Sequence, residues 1–227
     1  MPVEKTRQKR DPEASRDRLF SAGVRLFSER GYDGVSVSML ADATRLNRRM
    51  LYHYFGSKDG LYRSVVQYAY ERLASLDVEP NHLLLPPEEL VAEMVRAYYS
   101  FLAEHPEIVR LVAWENLREG KTAKTLRLDA QSTPILAALQ FALERGKREG
   151  RFRKDVDEKQ LLISCLALSF YYFSNQHTVG QWLGVDLASE EAIERRVEHV
   201  VALLLDGIRA GNGKSRSARP VRERAAR

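Results

Sequence analysis

Apolar residues recur along this chain at the 3/4 spacing of helix faces, and almost nowhere at the alternate spacing of strands. Leu19, Ala22, Gly23, Leu26 and Phe27 mark one buried side of a helix from about Glu13 to Arg30, with Pro12 suited to its first turn and Gly31 to its end. Ser36 then reads as the N-cap of a short helix, Val37 to about Thr44, whose inner face is Met39, Leu40 and Ala43. After a turn at Arg45 and Leu46, Asn47 caps a second short helix, Arg48 to Tyr54, closed by Gly56 and Ser57. A longer helix follows from Lys58 to about Leu76.

Pro80, Pro86 and Pro87 bar a helix across 77–87. Beyond them the pattern predicts helices over Glu88–Glu104, Pro106–Arg118 and about Thr122–Glu149, the last with a kink at Pro134. Two more are expected at Asp157–His177 and Glu190–Ala210. The first of these is apolar almost all round (Leu161, Leu162, Ile163, Cys165, Leu166, Leu168, Phe170, Phe173), which predicts burial on every side. The second carries Ile193, Val197, Val200, Val201, Leu204, Leu205 and Ile208. This much apolar surface either forms a dimer interface or completes a monomer core. No segment reads as a strand. The expected fold is all-α: a three-helix head with a helix-turn-helix, then a larger helical bundle, about nine helices in all. The expected divisions are a flexible basic arm at 1–11, the head at 12–56, a ligand-binding and dimerisation domain at 57–210 and a disordered basic tail at 211–227.

Charge sharpens this picture. The 227 residues carry a formal +5, with 12 Lys/Arg against 8 Asp/Glu in residues 1–60 and 6 against 1 in residues 211–227. The middle is therefore acidic and the two ends basic, as polyanion contact at the ends requires, although a basic tail also aids solubility. The single cysteine, Cys165, excludes an internal disulfide and a cysteine-cage zinc site. No apolar run is long enough for a bilayer, and Met1 to Arg10 lacks the apolar stretch of a signal peptide, so a cytoplasmic protein with no membrane partner is expected.

The chemistry concentrates between Leu46 and Lys58. Leu51 and Phe55 fall four apart and face the head's core with Leu46, which turns Arg48, Arg49, Tyr52 and His53 outward. A helix fits the major groove, and arginine pairs with both acceptors of a guanine edge. Lys58 and the free N–H groups at the start of its helix make a phosphate clamp, and Ser36 offers another. Rival readings are weak. Gly213-Lys214-Ser215 lacks the correctly spaced first glycine of a phosphate loop and any preceding strand. Glu79 and His82 have metal-like spacing but no second histidine. Neither an enzyme nor a metal or cofactor site is expected. A helical adaptor, or a nonspecific nucleic-acid-binding protein without a ligand switch, is the alternative.

The head resembles the TetR family of transcriptional regulators. The resemblance rests on Leu26-Phe27-Ser28-Glu29-Arg30-Gly31-Tyr32-Asp33-Gly34, on Ser36-Val37-Ser38-Met39-Leu40-Ala41, and on Leu51-Tyr52-His53-Tyr54-Phe55-Gly56-Ser57-Lys58-Asp59-Gly60-Leu61-Tyr62. It implies a homodimer paired through the last two long helices, a repressor of operator DNA, and release by a small-molecule effector. It implies DNA contacts at Ser36, Asn47, Arg48, Arg49, Tyr52, His53, Tyr54 and Lys58. The family usually has glycine where Arg45 stands and a small residue where Arg49 stands. Arg45 is either a strained turn residue or an added cation at the groove. The resemblance places the effector pocket in the C-terminal domain, with Tyr98, Tyr99, Phe101, Arg110, Trp114, Glu115, Phe170, Tyr171 and Tyr172 as candidate lining. Arg110 and Trp114, four apart, hold a flat or anionic ligand if they point inward; if outward, the arginine merely covers the indole.

Overall fold

The computed structural model describes residues 12–77, 79–126 and 133–211; the basic arm and all but the first residue of the basic tail lie outside them. Among the described residues the chain forms nine α-helices. The head consists of α1 (Pro12–Arg30), α2 (Val37–Thr44) and α3 (Arg48–Phe55). Each short helix starts as the sequence requires, because a side-chain oxygen takes up an N–H that has no partner inside the helix. Ser36 Oγ accepts from the Met39 N–H at 3.2 Å and Asn47 Oδ1 from the Arg49 N–H at 3.0 Å. Leu19, Leu26, Phe27, Leu40, Leu46 and Leu51 bury the inner faces of the three helices. Ala43, expected on that face, is exposed; Thr44 is buried in its place, its hydroxyl donating to Leu40 O at 2.8 Å.

The rest of the chain forms α4 (Lys58–Ala74), α5 (Pro87–Glu104), α6 (Pro106–Leu117), α7 (Pro134–Arg148), α8 (Glu158–Leu183) and α9 (Glu190–Ile208). A short 3-10 turn, Pro80–Leu84, occupies the proline-rich break. One continuous core runs from the head through α4 into α5–α9. The loop after α7 is tied to the end of α9: Arg153 N–H donates to Ile208 O and Ala210 N–H to Arg151 O, at 2.9 and 2.8 Å. No helix among the described residues is long and apolar enough to cross a membrane.

Two expectations need correction. The seventh helix does not begin near Thr122. Glu119 and Gly120 both take positive φ, 57° and 66°, and a 3-10 turn at Ala123–Thr125 follows. Pro134 does not kink a helix already under way; it opens one, since its missing N–H costs nothing in the first turn. The eighth helix is also not buried all round. It runs six residues past His177 to Leu183 and ends at Gly184 in the left-handed region. Leu161, Ser169, Tyr172 and Phe173 are buried, while Ile163, Leu166 and Tyr171 lie exposed on its other side.

Candidate DNA interface

The turn between α2 and α3 aims the recognition helix. Arg45 caps α2 in the left-handed conformation, φ 55° and ψ 30°, and its N–H bonds back to Ala41 O and Asp42 O. That bend drives Leu46 inward and leaves Arg45, Asn47, Arg48 and Arg49 exposed in a row at the start of α3. Leu51 is fully buried beneath them, and Phe55 is half-buried with the Arg16 guanidinium 5.6 Å from its ring centre. Tyr52 and His53 are exposed; Tyr54 is half-buried, edge-on to His53 at 5.0 Å. The sequence-predicted base-reading and aromatic groups therefore share one outward surface, Tyr54 at its rim.

A left-handed non-glycine residue costs roughly 1–2 kcal/mol, less what glycine loses in the unfolded chain. Arg45→Gly is expected to stabilise the protein by about 1 kcal/mol, raising the melting temperature by about 2–4 °C. It should also weaken duplex binding and lower the salt slope by about one per protomer. Calorimetry with salt-titrated binding checks both. Unchanged DNA affinity would make Arg45 a turn residue only.

Lys58 is less available than the sequence implies. Its ammonium donates to Val35 O at 2.7 Å and lies 4.0 Å from the centre of the Tyr32 ring. Ser57 caps α4, accepting from the Gly60 N–H at 3.0 Å, and Asp59 stands exposed in the first turn, where its charge opposes a phosphate. The ammonium thus fastens α4 to the link between α1 and α2.

Next to this point the head meets α6. Trp114 Nε1 donates to Ser28 O at 3.2 Å, and the indole lies against Gly31. Glu115 is buried, and its carboxylate accepts from the Tyr62 hydroxyl at 3.0 Å and from the N–H groups of Thr122 and Ala123. Arg118, the C-cap of α6, sits with its guanidinium 4.2 Å from the Tyr32 ring centre and 4.9 Å from that of Tyr62. The Tyr32 hydroxyl donates to Asp59 at 2.6 Å. Burial pushes the phenols of Tyr32 and Tyr62 up to about 12, helped for Tyr32 by Asp59. An open groove of about 560 Å³ borders this seam. Sequence reasoning missed Tyr32, Asp59 and Arg118 as partners. Glu115 was expected to line a pocket; the spacing Ile108–Leu111–Glu115, which carries a carboxylate onto a buried helix face, is the signal that could have found the junction.

The expected effector-pocket residues do not form one cluster: Tyr99 and Tyr172 meet, their ring centres 6.2 Å apart, while others of the set lie apart from them. Arg110 is exposed and Trp114 turns to the head, so the two do not form an inward-facing clamp. Tyr171 is exposed on the outer side of α8. Phe101 is buried at the α5–α6 corner, 4.7 Å from the His105 ring. Tyr99 and Tyr172 are core tyrosines that donate to Leu168 O and Leu187 O. Tyr98 and Phe170 are half-buried, and burial raises the Tyr98 phenol to about 12.

Residues 19–65 match the family model described as bacterial regulatory proteins, tetR family. Residues 87–204 match the one described as tetracyclin repressor-like, C-terminal domain. The chain is 32% identical over 196 residues to the HTH-type transcriptional repressor NicS of Pseudomonas putida, covering 86% of this chain and 92% of that protein. It is 29% identical over 161 residues to the HTH-type transcriptional repressor SCO4008 of Streptomyces coelicolor, covering 70% of this chain and 79% of that one. Among solved structures, the hemolysin II transcriptional regulator HlyIIR superposes with a TM-score of 0.54 at 20% identity, covering 83% of this chain and 98% of its own. The ketosteroid transcriptional regulator KstR2 of Mycobacterium tuberculosis does so at 0.56 and 18% identity, covering 86% and 94%. With its helix-turn-helix head and its body each matched by a family model, this chain belongs to the TetR family of transcriptional regulators.

Proposed function

We propose that the protein is a cytoplasmic transcriptional repressor, without enzymatic activity, that binds operator DNA as a homodimer and leaves it when a small molecule occupies the C-terminal domain. The observation that carries this reading is the outward row Arg45, Asn47, Arg48 and Arg49 above the buried Leu46 and Leu51. The capped N-terminus of α3 presents cations and polar groups at one end, with Tyr52 and His53 one turn further along. Exposed Ile163, Leu166 and Tyr171 on α8 and Leu203 on α9 supply a face for a second copy. Two recognition helices related by a two-fold axis then read two half-sites. The effector acts by favouring a conformation in which the two helices no longer match that spacing.

Genomic footprinting of the purified protein, followed by salt-titrated gel shifts, tests the reading. The protein is expected to select a palindromic site and to lose affinity steeply with salt. Arg48→Ala with Arg49→Ala should lower operator affinity at least 100-fold per dimer, since each bidentate base contact carries roughly 1–3 kcal/mol of discrimination. Equal binding to all promoter fragments would instead identify a nonspecific basic surface or an adaptor. A ligand that binds tightly without changing operator affinity would remove the switch.

A further inference from the structure

We propose that Glu115 and Arg118 form a latch between α6 and the head, setting the orientation at which the two recognition helices of a dimer meet one operator. The inference deepens the repressor reading and rests on it.

Both residues belong to the C-terminal end of α6, yet each acts beyond it. The Glu115 carboxylate holds α4 through the Tyr62 hydroxyl and holds the following loop through the N–H groups of Thr122 and Ala123. It also lies 4.0 Å from Arg118 Nη1. Arg118 reaches the head, where its guanidinium rests against Tyr32 in the link between α1 and α2. The same Tyr32 ring carries the Lys58 ammonium at 4.0 Å, and its hydroxyl holds Asp59. One aromatic side chain is thus shared by a cation from the body and a cation from the first residue of α4. Through it, the end of α6 and the first turn of α4 share one set of contacts.

Apolar residues of similar volume often replace a buried ion pair without loss of stability, so packing alone does not call for Glu115 and Arg118 here. Polar groups with fixed partners specify geometry instead. Arg118 Nη1 is buried without a hydrogen-bond partner, 4.0 Å from the carboxylate. At Nη1 the latch is therefore closed by charge and by the guanidinium's contact with the Tyr32 ring rather than by a hydrogen bond. Both act through other side chains and are positioning residues.

The test compares the unaltered protein with Arg118→Leu and with the near-isosteric Glu115→Gln. Three duplexes are used: the footprinted operator, operators with half-site spacing changed by one or two base pairs, and a single half-site. The unaltered protein is expected to prefer one spacing strongly. Both variants should bind the native operator about 10-fold more weakly and lose most of the spacing preference, while single-half-site affinity stays within twofold. Dimer mass by light scattering should not change. Retained spacing preference in both variants overturns the latch, as does a parallel loss of half-site affinity, which would mean simple damage to the head. Should Arg118→Leu not fold, Glu115→Gln decides by the same criteria. Failure of the unaltered protein to bind any operator would remove the repressor reading itself, a different result from either.

Discussion

Gly31→Ala is expected to be among the most damaging single-atom additions in this protein. Gly31 has φ +66°, a conformation that a residue with a Cβ pays roughly 1–2 kcal/mol to adopt. A Cβ at this position would also stand 2.8 and 2.9 Å from two carbons of the Trp114 ring. The ring cannot simply swing aside, because its Nε1 is bound to Ser28 O in α1. Overpacking of this kind costs typically 1–3 kcal/mol more. The combined loss of about 2–5 kcal/mol should lower the melting temperature by roughly 5–15 °C in a chain of this size. Operator affinity should fall with it, since the displaced contact is the one between α1 and α6. A double-mutant cycle with Trp114→Leu separates the two causes. With the indole gone, Gly31→Ala should cost only the backbone part, about 1–2 kcal/mol. An equal cost in both backgrounds would show that Trp114 does not press on Gly31.

That contact marks where sequence reasoning reached its limit. The head was legible because its signals are local. Ser36 and Asn47 cap helices that begin one residue later, as the sequence predicts; Ser57, expected only as the end of α3, also caps α4; and Leu46 and Leu51 are fixed by the turn between α2 and α3. Even the strain at Arg45 was visible as an arginine where the family places glycine. The seam joins residues more than 80 positions apart, Ser28 with Trp114, and no periodicity within either helix pairs them. Arg110 and Trp114 share the i, i+4 relation but differ in surroundings: α1 covers one and solvent the other. The spacing gives the pair's relation and not the identity of what lies across from it. Misplacing the start of α7 has a simpler origin. Helix-forming residues at 123–126 follow Glu119 and Gly120, and a non-glycine residue at positive φ leaves no signature in composition.

The outward side of α8 is a different case, since the apolar pattern was read correctly and its burial was not. In one protomer Ile163, Leu166 and Tyr171 face solvent, as does Leu203 of α9. A helix apolar all round needs a neighbour on each side, and a single chain supplies only some of them. Exposed Ser164, Ala167 and Ala202 lie among these large residues, so the helix backbones of two copies can approach closely. Leu203→Glu is therefore expected to give a folded chain of 26.0 kDa by light scattering, where the unaltered protein gives twice that mass. A glutamate introduced into the pairing face of each copy would have to be desolvated when the two faces meet. Because Leu203 is half exposed in the protomer, the change costs the isolated chain little. Operator affinity should then drop about 10²–10⁴-fold, the loss expected when a second, linked half-site contact becomes independent. Affinity for a single half-site should stay the same. A dimer that survives Leu203→Glu, or a monomer that binds the full operator undiminished, would show that α8 and α9 do not pair the two copies.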